Sequence, residues 1–290
     1  MPYKFIFDTS AIDDNSVSEM ENAGIIQACD SGQINFYMTP PLLRECFHFV
    51  TTGNVPRKTE HLEFLIKIRW AGLFNQLNGK DGILNIELVG LPENGYLLLK
   101  NSENTFKPEF RNFLKGQKFS AEFREIIKKE NADWKSGKND QMNGALNKRK
   151  IFKRDFKMTK DFPFEQIWEK KGSQIMRHYI KGIGKRINPN ISADDLIKLW
   201  EKQQGECKYL ETFIKLHYFQ QWKLITPIAE PRRDRNAADD IEHLMYLLYV
   251  DGIVSNEKHG FMNNAKQFFP TKDILSVDEF VKKIEVGKKG

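Results

Sequence analysis

Apolar positions follow two rhythms along this chain, short runs near both ends and helical spacing through the middle. Tyr3-Lys4-Phe5-Ile6-Phe7 stops abruptly at Asp8-Thr9-Ser10, too brief for a helix and suited to a buried strand over residues 3–8. Residues 13–30 follow as a helical stretch closed by Ser31-Gly32. Ile34-Asn35-Phe36-Tyr37-Met38 is a second strand, and Thr39-Pro40-Pro41 opens another helix, where proline costs little because the first turn needs no donor from it. Strand, helix, strand, helix is the pattern of an α/β unit on a parallel sheet. It returns near the other end: Asp239 to Val250 reads as helix, Gly252 ends it, and Ile253-Val254-Ser255 is a brief strand. Lys272 to Ile284 closes the chain, with Ser276 as N-cap before Val277, Phe280, Val281 and Ile284.

The middle behaves differently. Residues 60–77 and 192–222 carry apolar residues at helical spacing, for example Leu196, Leu199 and Trp200, then Leu210, Phe213 and Ile214. Between them Ile83 to Val89 reads as a strand, and residues 100–160 as helical pieces joined by loops at Gly116, Gly137 and Gly144. No internal repeat emerges. The expected organisation is a discontinuous α/β domain, residues 1–55 and 224–290, around a mainly helical, basic insertion over 56–223.

Composition narrows the class. Hydrophobic content of 40% with 22 phenylalanines supplies a core and excludes global disorder. No run approaches the roughly 18 apolar residues of a membrane span, and the N-terminus lacks a basic-then-apolar leader. Cys29, Cys46 and Cys207 are odd in number, far apart and without a CxxC pair. That argues against a disulfide framework or a zinc site and leads to the expectation of a reducing, cytoplasmic setting. Net charge is +6, unevenly spread: residues 100–190 hold 23 Lys+Arg against 11 Asp+Glu, the remainder 22 against 28. A basic middle in an acidic frame attracts polyanions, nucleic acid first among them, although a lysine-rich solvated face has the same composition.

Four acids stand where chemistry could use them. Asp8 ends the first strand; Glu45 sits on the helix opened by Thr39-Pro40-Pro41; Asp240 borders the stripe of Ile241, Leu244, Met245 and Leu248; Glu257 lies just beyond Ile253-Val254-Ser255. Open parallel sheets bind ligands beyond the carboxyl ends of their strands. Clustered carboxylates stay ionised only when a cation compensates them, and hard oxygen donors suit Mg²⁺ or Mn²⁺ rather than zinc. Such an ion can activate water and stabilise a departing oxyanion in phosphodiester hydrolysis.

Together, the apolar strand ending in Asp8-Thr9-Ser10, Glu45 on the second helix, Asp240-Ile241-Glu242-His243-Leu244 and Ile253-Val254-Ser255-Asn256-Glu257-Lys258 resemble the PIN domain, a metal-dependent nuclease fold. The resemblance covers residues 1–55 and 224–284. It implies a three-layer α/β/α sandwich whose acids bind Mg²⁺ or Mn²⁺ and cut RNA, usually single-stranded. Asp8, Glu45 and Asp240 match its core acids, Glu257 the place of a fourth, and Ser10 a hydroxyl beside the first Asp. The family's last motif usually reads Thr-x-Asp, where this chain has Ser255-Asn256-Glu257, and the long middle segment has no counterpart in its compact members.

Basic residues complete the expectation. Arg232, Arg233 and Arg235 precede the Asp240 helix, and Lys148-Arg149-Lys150 with Phe152 and Phe156 could follow a nucleic-acid backbone or simply form a solvated loop and a helix's core face. The resulting expectation is a metal-dependent endoribonuclease. Its rivals are a catalytically inactive nucleic-acid-binding module and a phosphatase-like hydrolase, the latter disfavoured by the absence of a DxD pair after the first strand. A homodimer or an inhibitory protein partner is left open.

Overall fold

Alternation along the opening strand sends Phe5 and Phe7 to one side of a sheet and Ile6 to the other, and that division organises the first of two units. The computed structural model describes residues 2–51, 64, 75–76, 79–89, 109, 119–129, 132–133, 136, 164–225, 237–257 and 260–287. One compact unit comprises residues 1–78, 97–133 and 249–290, the other 79–96 and 134–248.

The first unit is built on β1 (Tyr3–Phe7), β2 (Ile34–Met38), β3 (Asn75–Gln76), β4 (Gly252–Val254) and β5 (Asp273–Leu275). These strands form one sheet in the order β3-β2-β1-β4-β5, and each adjacent pair is parallel. Register aligns Ile6 with Ile253 and Ile253 with Ile274, giving one apolar row. Phe7, Val254 and Leu275 form the row on the opposite face. There Phe7 meets Phe36 and Phe280 at ring separations of 5.0 and 5.5 Å. The same cluster takes Met20 from α1 (Asp14–Asn22), Ile25 from α2 (Ile25–Asp30), Leu42 from α3 (Pro40–Thr51) and Ile284 from the last helix. Ile6 and Ile253 are also fully buried, so neither side of the central strands faces water.

Local signals explain most boundaries. Gly24 takes φ of 85°, which an L side chain rarely tolerates, and divides the single helical stretch expected over 13–30 into α1 and α2. Gly252 is required by space: a Cβ there would lie 2.6 Å from the Phe5 ring and 2.5 Å from the Asp273 carbonyl oxygen. Ser276 caps the final helix through its hydroxyl, and Glu279 reaches back to the Ser276 amide at 2.8 Å, a reciprocal capping box. The preceding β5 adds a strand to the stretch expected only to close with the capped helix, and at three residues between Lys272 and Ser276 it is too short to show a rhythm. Asn75–Gln76, within the stretch expected to be helical, pairs with β2 as a strand.

The second unit contains α4 (Lys80–Val89), α5 (Phe164–Ile187), α6 (Ala193–Lys202), α7 (Lys208–Ile225) and α8 (Ala237–Met245). The strand expected at Ile83–Val89 is instead the helix α4. Leu84, Ile86 and Leu88 alternate like a strand, but Ile83, Leu84 and Leu88 are the buried positions, which is helical spacing. Glu87 then faces α7, accepting from the backbone amides of Tyr209 and Leu210, both at 2.8 Å. Those amides belong to the first turn, which has no intrahelical acceptors. The chain division differs from the expected one: residues 224–248, α8 included, fall in the helical unit, and 97–133 in the sheet unit. The reason is packing, since α8 lies against α7, and the Tyr246 ring in the turn just after α8 sits 6.5 Å from that of Tyr209. Among the described residues no helix is long and apolar enough to cross a membrane.

Candidate functional site

Strand order reverses between β1 and β4. From β1 the chain adds β2 and β3 on one side, then crosses to add β4 and β5 on the other. In open parallel sheets such a reversal leaves a crevice beyond the strand ends, because the two neighbouring loops depart in different directions. Asp8 immediately follows β1 and Ser255 immediately follows β4, so both stand at this switch point. The Asp8 amide donates to the Val254 carbonyl at 3.0 Å, continuing the ladder one step past the strands.

Asp8 is 9% exposed, and its two carboxylate oxygens have different environments. Oδ2 accepts from the Ser10 hydroxyl, from the Ser255 hydroxyl at 3.0 Å and from the Ser10 amide at 3.3 Å. Each hydroxyl is itself an acceptor: the Asn256 amide donates to Ser10 Oγ at 3.0 Å, and the Glu257 amide to Ser255 Oγ at 3.1 Å. Two backbone N–H groups thus polarise two hydroxyls that both point at one oxygen. Chains of this kind strengthen cooperatively away from bulk water. Oδ1 accepts no hydrogen bond from any described residue.

Asn256 fastens the loop. Its Nδ2 donates to the Ser10 carbonyl at 3.2 Å and to Ser16 Oγ at 2.9 Å, while its Oδ1 accepts from the Val277 amide at 3.3 Å. One side chain therefore joins the β1 loop, the start of α1 and the start of α9 (Val277–Gly287). Glu45 reaches the same end of the sheet from α3: Thr9 Oγ1 donates to Glu45 Oε2 at 2.5 Å. Thr39 fixes the entry to that helix by accepting the Leu42 amide on its hydroxyl at 3.3 Å.

The expected residues fare differently. Asp8, Ser10 and Glu45 are brought together, Asp8 and Ser10 directly and Glu45 through Thr9. Glu257 follows the site in sequence, with its amide engaged by Ser255 and its side chain exposed. Asp240 is half-buried on α8, within the helical unit. Lys148, Arg149, Lys150, Arg232 and Arg233 lie outside the described residues. Thr9, Ser255 and Asn256 join the site beyond the expected residues; the sequence signal for them is a hydroxyl at the end of β4 matching the one at the end of β1.

Among the described residues, no group of three or more His, Cys, Asp and Glu side chains is placed to hold a metal. The side-chain donors at this end of the sheet, the Asp8 carboxylate with the Ser10 and Ser255 hydroxyls and the Glu45 carboxylate bonded to Thr9, are all hard oxygens. Mg²⁺ commonly binds through one or two carboxylates and keeps several waters, so this donor set fits that ion and does not fit zinc. The cysteines stay apart from the site chemistry: burial, reinforced by Asp30, pushes the Cys29 thiol up to about 12, and burial with Glu87 does the same to Cys207. Burial next to Glu45 also raises Cys46. No family model, curated protein or solved structure matches the chain.

Proposed function

We propose that the protein is a PIN-like, divalent-metal-dependent nuclease acting on single-stranded RNA, its sheet unit a three-layer α/β/α sandwich. The observation that carries this reading is the state of Asp8 at the β1–β4 switch point. One carboxylate oxygen is held by three donors while the other takes none from the described residues. A structural aspartate gains by pairing both oxygens; one presented on a fixed carboxylate is arranged for a ligand. Glu45, tethered through Thr9, supplies the second carboxylate. Mg²⁺ or Mn²⁺, when bound, would lower the pKa of a bound water and neutralise charge on the phosphate. Asp8 and Glu45 would hold it, and Ser10 and Ser255 would fix the orientation of Asp8. The basic middle of the chain is in keeping with a polyanionic substrate.

The test is cleavage of labelled single-stranded RNA and DNA with Mn²⁺, Mg²⁺ or EDTA, by the parent, Asp8→Asn, Glu45→Gln, Asp240→Asn and Glu257→Gln. Metal-dependent cutting of RNA that falls at least ~10²-fold in Asp8→Asn supports the reading. Cleavage by Asp8→Asn at the parental rate overturns it, and binding without cutting under every condition favours an inactive recruitment module.

A further inference from the structure

The helix α5 changes character along its length. Its first turns carry Glu165 and Glu169; from Lys170 to Ile187 it holds Lys170, Lys171, Arg177, Lys181, Lys185 and Arg186 and no acid. Phe164, Met176 and Ile180 form its buried side. At about 100° per residue, Lys170, Arg177, Lys181 and Lys185 fall within an arc of about 80°. All four are exposed. At about 1.5 Å rise per residue the row runs roughly 22 Å, with its last three members one turn apart.

A merely solvated helix face normally interleaves both signs, because like charges at i,i+4 oppose the helix by a few tenths of a kcal/mol per pair. Arg177, Lys181 and Lys185 stand at just that spacing. The helix dipole accounts for Lys185 and Arg186, in the last turn, but not for Lys170, Arg177 or Lys181. Relief from neighbouring acids is slight: Arg177 pairs with Glu201 of α6 at 2.7 Å, and Lys170, Lys181 and Lys185 pair with no described residue. A persistent row of cations is what an external polyanion would neutralise.

We infer that this face of α5 docks the phosphodiester backbone of a single-stranded nucleic acid. A single straight row follows one strand, whereas a duplex presents two backbones. The inference deepens the nuclease reading by naming, within the basic middle of the chain, a particular surface that would hold its substrate. Counterion release gives it a quantitative signature: four phosphate contacts contribute about −2.8 to the slope of log affinity against log salt for a single strand.

The experiment is fluorescence anisotropy of a labelled 20-mer oligouridylate from about 0.05 to 0.5 M salt, in EDTA so that cleavage plays no part. The parent is compared with a variant carrying Lys170→Gln, Arg177→Gln, Lys181→Gln and Lys185→Gln. A control removes the same charge elsewhere, by Lys128→Gln, Lys129→Gln, Lys266→Gln and Lys282→Gln, at exposed positions. Glutamine matches lysine and arginine in helix propensity, and circular dichroism checks the fold. The expected result is a slope shallower by about 2–3 and affinity lower on the order of 10²-fold at 0.1 M salt, in the α5 variant alone. Unchanged binding, or an equal loss in the control, overturns the inference. A loss confined to the α5 variant stands even if no metal-dependent cleavage is ever found, which separates this result from the nuclease reading.

Discussion

Removing the Ser255 hydroxyl tests the buried network around Asp8. In Ser255→Ala, Asp8 Oδ2 loses one of its two hydroxyl donors, and the Glu257 amide loses its acceptor. Glu257 is exposed, so water can replace the latter bond at little cost. Asp8 is 9% exposed, so water replaces the former poorly. A hydrogen bond to a charged group contributes about 1.5–3 kcal/mol, which puts the expected loss near ~2 kcal/mol. For a unit of about 150 residues this lowers Tm by about 4–8 °C. In an Asp8→Asn background the remaining bond is between neutral groups, worth about 1 kcal/mol, so Ser255→Ala should cost about half as much there. Calorimetric or circular-dichroism melts of the four proteins give the coupling, about 1 kcal/mol. Equal costs in both backgrounds, or a single-variant cost under about 0.5 kcal/mol, would show that the hydroxyl does not hold the carboxylate.

Two further outcomes follow from the buried polar chemistry. Glu87→Ala should destabilise the helical unit by about 3 kcal/mol, because two first-turn amides of α7 lose charge-assisted acceptors at 2.8 Å; Glu87→Gln, with one acceptor oxygen, should cost about half. Urea melts monitored by tryptophan fluorescence measure both, and a Gln variant as stable as the parent refutes the capping role. The buried thiols should react with Ellman's reagent at pH 8 about 10³-fold more slowly than an ordinary cysteine, as a thiol held up to about 12 is almost wholly protonated there. The unfolded chain gives up these protons first, above about pH 8.5, so stability falls as pH rises past that point. Each thiol therefore removes about 1.4 kcal/mol of stability per pH unit between there and its raised folded value. A urea midpoint that stays flat between pH 8.5 and 10 would contradict this.

The sequence alone determined β1, β2, the proline-opened α3 and the Ser276 cap, since each rests on neighbouring residues: a short apolar run, a turn, a capping side chain. It also placed Asp8 at a strand end for the same local reason. What local signals could not decide was anything set by partners distant in the chain. The run Ile83–Val89 supports either period, and packing together with the α7 amides that need Glu87 made it helix. Asp273–Leu275 is too short to show a rhythm and became a strand because β4 offered a parallel edge. Gly252 reads as a helix stop but is required because the Phe5 ring occupies the space of its absent side chain. The site follows the same division. Its acid was legible, whereas the hydroxyls that grip one of its oxygens lie 2 and 247 residues away, and only the parallel pairing of β1 with β4 brings the distant one to it.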